Sequence, residues 1–268
     1  MGSPISSFAI LNARAGGTIA IIRVLLALAP VALPAAYLVF LKRELAKHTI
    51  ADVYTSPPDP LPFPSSSLSP STTTGEDEDE IIPSAVLASP DKFVVSRERV
   101  TSHAVPIASL RPDLVADPDG LLLEAYLRAT MQAFSWTPQA LLMARMGSSF
   151  DDPTGAFARS FQTPYLSACA FRPGDRVCGA YVVRERRGDE RAVLELAPPQ
   201  GWRGPAVKGV LRVGFEREGD DNVRFVHETV LWRAVGEKET FLEGRMGRWM
   251  QGLLTGWLVV KGVEAVTG

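Results

Sequence analysis

The sequence predicts an α+β domain: an antiparallel sheet entered through helices and left through a long C-terminal helix, with a single transmembrane helix and a disordered linker ahead of it. Three observations predict this. Residues 17–41, GTIAIIRVLLALAPVALPAAYLVFL, form an apolar run whose one charge is Arg23. From Tyr165 onward, strand-like stretches are separated by tight-turn signals. From about Thr240 to Val263, a wide apolar stripe recurs at helical spacing.

Residues 1–16 form a short tail of small and polar residues, and its Met1-Gly2-Ser3-Pro4-Ile5-Ser6 fits the loose myristoylation pattern. As a helix, the run at 17–41 would reach roughly 37 Å, enough to cross a bilayer with some tilt. It is too long for the apolar region of a cleaved signal peptide, and Lys42-Arg43 follows it directly. An uncleaved, single-pass anchor is the expectation, with the membrane as a partner. Lys42, Arg43 and Lys47 on its C-terminal side, against Arg14 on the other, place the folded domain in the cytosol. The first 43 residues contain no acid and include Arg14 and Arg23, which makes a mitochondrial membrane the alternative.

Residues 42–90 are expected to be linker. From Asp52 to Pro90 the chain is rich in proline, carries Ser65-Ser66-Ser67, and includes the acidic run Glu76-Asp77-Glu78-Asp79-Glu80. Such a composition buries too little apolar surface to offset the entropy of ordering. The acidic segment is a candidate contact for a protein partner, and Ser71-Thr72-Thr73-Thr74 before it is a candidate site for an acidophilic kinase.

The α+β domain is expected over 91–268. Lys92–Thr101, KFVVSRERVT, reads as a strand with a charged second half. Asp119 is a candidate N-cap for a helix on which Leu121-Leu122-Leu123, Tyr126, Leu127, Met131 and Phe134 fall at helical spacing. Pro138 breaks it, and Gln139–Met146 forms a second short helix. Arg176–Arg187 and Arg191–Ala197 are expected to be paired strands about Gly188-Asp189. Val207–Arg217 alternates, with Leu211, Val213 and Phe215 on one face. Val223–Arg233 is apolar on both faces and is therefore expected to be central. On the final helix, Leu242, Met246, Trp249, Met250, Leu253, Trp257 and Val260 form the stripe, while Gly244, Gly247, Gly252 and Gly256 invite close packing. Glycine inside a helix costs ~1 kcal/mol relative to alanine. Four of them therefore need a neighbour that benefits.

With 268 residues and 46% hydrophobic content, the chain can build a substantial core. A net charge of -2 argues against a general nucleic-acid binder. Cys169 and Cys178 are too few for a disulfide framework and read as structural thiols. No dinucleotide fingerprint, phosphate loop, zinc-protease motif or paired-cysteine motif occurs, so no cofactor is implied. His48, His103 and His227 are scattered, and no metal site is expected.

This order of strand, helices, antiparallel strands and terminal helix resembles the START-like, or Bet v 1-like, helix-grip superfamily over about Asp91 to Gly268. The resemblance lies in element order. It implies a curved antiparallel sheet wrapped around the C-terminal helix, enclosing an apolar cavity for a lipid or other hydrophobic small molecule. The alternative is the cone-shaped fold of nuclear transport factor 2-like domains, which places its long helices before the sheet.

Tyr181, Phe215, Phe225, His227, Trp249 and Leu253 are the candidate ligand-binding residues of such a cavity. His227, Glu228 and Tyr181 are the candidate catalytic residues. His227 and Glu228 are adjacent on a strand, so only one of them can face the cavity. A hydrogen-bonded structural histidine and a Glu228 paired to an arginine of a neighbouring strand is the competing reading. Trp202-Arg203 is a candidate entrance to the cavity. The functional expectation is a membrane-anchored binding protein for a hydrophobic small molecule or lipid. The alternatives are an isomerase or cyclase working on an apolar metabolite, and a tethered interaction scaffold.

Overall fold

The computed structural model describes residues 36–56, 82–116, 121–147, 152, 154–198, 202 and 207–268. The chain divides into two compact units, Met1–Lys47 and His48–Gly268. In the first, residues 36–45 are helical, and Lys47 pairs with Glu44 at 2.6 Å, three residues apart.

The expected architecture is corrected at its N-terminal end. Most of the predicted anchor lies outside the described residues. Among the described residues, no helix is long and apolar enough to cross a membrane. The helical stretch at 36–45 would cover ~15 Å, about half of the ~30 Å hydrocarbon core, and it carries Lys42, Arg43 and Glu44. The transmembrane helix is therefore not part of the observed fold.

The second unit is α+β. Its strands are β1 (Thr49–Ser56), β2 (Phe93–Ser102), β3 (Val105–Pro106), β4 (Arg176–Val177), β5 (Tyr181–Arg187), β6 (Arg191–Leu196), β7 (Lys208–Glu218) and β8 (Asn222–Ala234). They form one eight-stranded antiparallel sheet in the order β1-β2-β8-β7-β6-β5-β4, with β3 paired to β8. The consecutive strands β4 to β8 form a meander, and β8 then pairs with β2. That pairing puts β8 inside the sheet, as its two apolar faces require.

Several elements differ from the sequence expectation: Ser84–Leu87, within the stretch read as linker, is helical, and so is Thr163–Ala168, where the β pattern is expected to begin. Thr49–Ser56, within the stretch read as linker, is an edge strand paired with β2 over its whole length, Thr49 opposite Ser102 and Ser56 opposite Val95. The single strand expected over Arg176–Arg187 is two strands. Cys178 and Gly179 take left-handed backbone angles, with φ of 46° and 71°, and reverse the chain between β4 and β5.

The helices are α1 (Ser84–Leu87), α2 (Pro112–Val115), α3 (Leu121–Ser135), α4 (Pro138–Met146), α5 (Ala156–Arg159), α6 (Thr163–Ala168) and α7 (Arg245–Val266). The Thr137 side chain caps α4 by accepting from the Ala140 N–H at 3.2 Å, and Pro138 occupies the first helical position. Residues 241–244 form turns before α7, which therefore starts later than expected.

The main core lies between the inner face of the sheet and α3. It joins Leu123, Tyr126, Leu127 and Met131 of α3 to Leu194, Val213 and Phe225 of the sheet. α7 packs along α3 and beside β2, with Leu258 and Val266 in the same core. Val193, Val210 and Val230 make a smaller cluster on the other face with Ile82, Val95 and Trp232.

Candidate functional site

The inner face of the sheet, the start of α7 and the short helices enclose a cavity of about 230 Å³. This is smaller than most small-molecule sites, which run from ~300 to 1,000 Å³. Ser96 and Glu98 of β2, with Thr229 and Leu231 of β8, form one wall. The register sets Ser96 opposite Leu231 and Glu98 opposite Thr229. Residues two apart on a strand share a face, so all four point the same way. Tyr181 and Leu196 continue this wall across β5 and β6. Phe134, Met143, Met146 and Phe157 supply an apolar wall from α3, α4 and α5. Arg248 and Gln251 come from α7, and Trp202 and Val207 from the stretch between β6 and β7. Gly209 on β7 makes room here: a Cβ would lie 2.5 Å from Leu231 Cδ2 and 3.0 Å from Leu196 Cδ1.

Glu98 is the distinctive group of the cavity. It is 7% exposed. Its Oε1 has no hydrogen-bond partner among the described residues. Burial raises its carboxyl from 4.5 to about 7, and the positive charge of Arg248 opposes part of that rise. Arg248 Nη1 donates to Thr55 Oγ1 at 2.8 Å, which ties the start of α7 to β1. Tyr181 adds a phenol whose pKa is pushed up to about 12, chiefly by burial, so it remains a proton donor at neutral pH.

The structure separates the residues the sequence singled out. Tyr181 lines the cavity. His227 lies on the face of Thr229 and Leu231, one pleat further along β8, opposite Val100. There the ring is covered by Tyr126, edge-on at a centroid distance of 5.6 Å, and Tyr126 stacks on Phe225 at 4.5 Å. Burial drives His227 down to about 3, so it is neutral. Glu228 points to the opposite face. Arg97 Nε contacts its Oε1, and Arg212 Nη2 lies 2.7 Å from its Oε2. Glu228 is thus paired to arginines of both neighbouring strands, whereas His227 Nε2 has no hydrogen-bond partner among the described residues. Phe215 packs on Phe225 at 6.0 Å and borders a separate hollow with Leu110, Leu114 and Arg187. Trp249 is half-buried and Leu253 buried on α7. The cavity takes Arg248 and Gln251 from that helix, a face about 150° away from the Trp249–Leu253 stripe.

Sequence reasoning missed Glu98 because it sits in the run Arg97-Glu98-Arg99, which looks solvated. The signal was the period of two. Ser96, Glu98, Val100 and Ser102 are buried, whereas Arg97 and Arg99 turn to the other face. There Arg99 Nη2 meets Glu216 at 2.7 Å.

Cys169 and Cys178 are buried free thiols, and burial pushes both above the ordinary value, Cys169 to about 11. Among the described residues, no three potential metal-ligating His, Cys, Asp or Glu side chains are grouped together. No family model, no curated protein and no solved structure matches this chain.

Proposed function

We propose that the domain binds a small apolar molecule in the cavity between the sheet, α4 and α7. The observation that carries this reading is the cavity itself, apolar on the α3–α5 side and bearing one buried carboxyl. Its place between a meandering antiparallel sheet and a C-terminal helix supports the helix-grip resemblance, in which a hydrophobic ligand occupies that space. Room for on the order of ten non-hydrogen atoms, at the ~30 Å³ of a liquid water molecule, favours a compact molecule or one acyl segment.

Native mass spectrometry of the full chain purified from cells tests the reading. A co-purified small molecule is expected, and it should be lost in Met143→Trp, which fills the cavity from α4. If the wild type carries nothing and takes up no apolar probe offered to it, the proposal fails.

A second reading, proton-transfer catalysis on an apolar substrate, is favoured by the buried Glu98 carboxyl near neutrality in the same cavity as the Tyr181 phenol. It replaces His227 and Glu228 with Glu98 as the working base. Hydrogen–deuterium exchange at the carbon next to the carbonyl of small cyclic ketones, lost in Glu98→Gln, would support it. An equal rate in that variant would remove it.

A further inference from the structure

The sheet and the helices both bring apolar and polar side chains to the cavity. Phe134, Met143, Met146, Phe157 and Trp202 bring apolar surface from α3, α4, α5 and the chain after β6, with Gln139 of α4 among them and Leu231 of β8 opposite. Ser96, Glu98, Thr229, Arg248 and Gln251 belong to β2, β8 and α7. These side chains make a polar end to the cavity, and among them is the Glu98 oxygen that no described residue satisfies. A buried acceptor left unmet costs ~1–3 kcal/mol, more when charged, unless an occupant supplies the missing bond. Gly252 on α7 lets the helix lie close against that oxygen, because a Cβ there would stand 3.0 Å from Oε1.

We infer that Glu98 is the polar anchor of the cavity and that its occupant is a neutral apolar molecule carrying one hydroxyl group. This rests on the reading of the cavity as a ligand site. Charge selects neutrality. Glu98 and Arg248 bring opposite charges to the same end, so an ammonium ligand meets Arg248 and a carboxylate ligand meets Glu98. Hydrogen-bond chemistry selects the hydroxyl, which donates to an ionised carboxylate and accepts from a protonated one. Glu98 populates both forms near neutral pH, and a carbonyl or ether would serve only one of them.

The test titrates the full chain with 1-octanol, 1-fluorooctane, octylamine and octanoate, reading dissociation constants by ligand-detected NMR. 1-Octanol should bind about tenfold more tightly than 1-fluorooctane, the return expected for one buried hydrogen bond. It should also bind more tightly than either charged probe. Glu98→Leu should bring the octanol-to-fluorooctane ratio to about one while 1-fluorooctane still binds, and Glu98→Gln should restore most of the preference. Equal binding of the two neutral probes to the wild type, or a preference that survives in Glu98→Leu, overturns the anchor. Tighter binding of octylamine or octanoate overturns the neutral hydroxyl. If no probe binds, the ligand-site reading fails and the anchor fails with it.

Discussion

Gly252 of α7 faces Glu98 of β2 so closely that a Cβ on residue 252 would lie 3.0 Å from the Glu98 carboxylate oxygen Oε1. The absent side chain is what lets a helix pass over a buried carboxyl. Gly252→Ala should gain up to ~1 kcal/mol of helix propensity and lose a similar amount by displacing Glu98. Its urea midpoint should therefore stay near that of the wild type, while its affinity for 1-octanol falls severalfold. Unchanged affinity would show that the polar end tolerates the methyl group.

Glu98 and His227 link stability to pH with opposite signs. The folded-state carboxyl of Glu98 is raised to about 7 from 4.5. Its contribution is fully present below pH 4.5 and is lost as pH rises through 7, a loss approaching ~3 kcal/mol. His227 is lowered to about 3 from 6.5. Its contribution is present above pH 6.5 and is lost as pH falls toward 3, at ~1.4 kcal/mol per unit. Between pH 4.5 and 6.5 the two oppose one another. Glu98→Gln should be more stable than the wild type at pH 8, with the gap closing by pH 4. His227→Gln should lose less stability than the wild type between pH 6 and 4. Urea unfolding at three pH values measures both.

On the other face of β8, Glu228 is the shared carboxylate of Arg97 and Arg212. Arg212 is itself 5% exposed, and burial is the main influence lowering its pKa. Removing the acid leaves positive charge in a site that water does not reach. Glu228→Gln should cost ~3–5 kcal/mol of unfolding free energy. Probe binding at pH 7, measured well below the unfolding midpoint, should be unchanged, because Glu228 and the cavity lie on opposite faces.

The packing of α7 on α3 turns on Gly262, where a Cβ would overlap the Tyr126 ring and reach within 2.7 Å of Thr130 Cγ2. Gly262→Ala should destabilise the domain by ~1–3 kcal/mol, read as a lower urea midpoint, despite the better helix propensity of alanine. The same substitution at Gly244, where the nearest atom to a Cβ is the Phe241 carbonyl oxygen at 3.4 Å, should change the midpoint by under ~1 kcal/mol.

Strands such as Lys208–Glu218 and Asn222–Ala234, and the turn at Gly219 with its φ of 69°, are legible in the chain because a pleat and a tight turn are local objects. Of the glycines that the final stretch offers, Gly247 and Gly252 meet close neighbours, whereas Gly244 precedes the helix and Gly262, which packs on Tyr126, does not stand out in the sequence. β1 is not legible. Thr49–Ser56 has no strong alternation, and pairing with β2 along its length makes it a strand. The break between β4 and β5 is hidden as well, because a cysteine, not a second glycine, takes the left-handed angle beside Gly179.

The same division runs through the site. Period two alone separates Ser96, Glu98 and Val100 from Arg97 and Arg99, and His227 from Glu228. It leaves open which face is covered and where along a face the cover stops. Tyr126 closes over the pleat of His227, whereas α7, with Gly252 opposite Glu98, leaves the next pleat open. Those neighbours come from parts of the chain far from β2 and β8, so no local pattern in either strand encodes them. The occupied and empty rungs of one sheet face are set by what packs upon them.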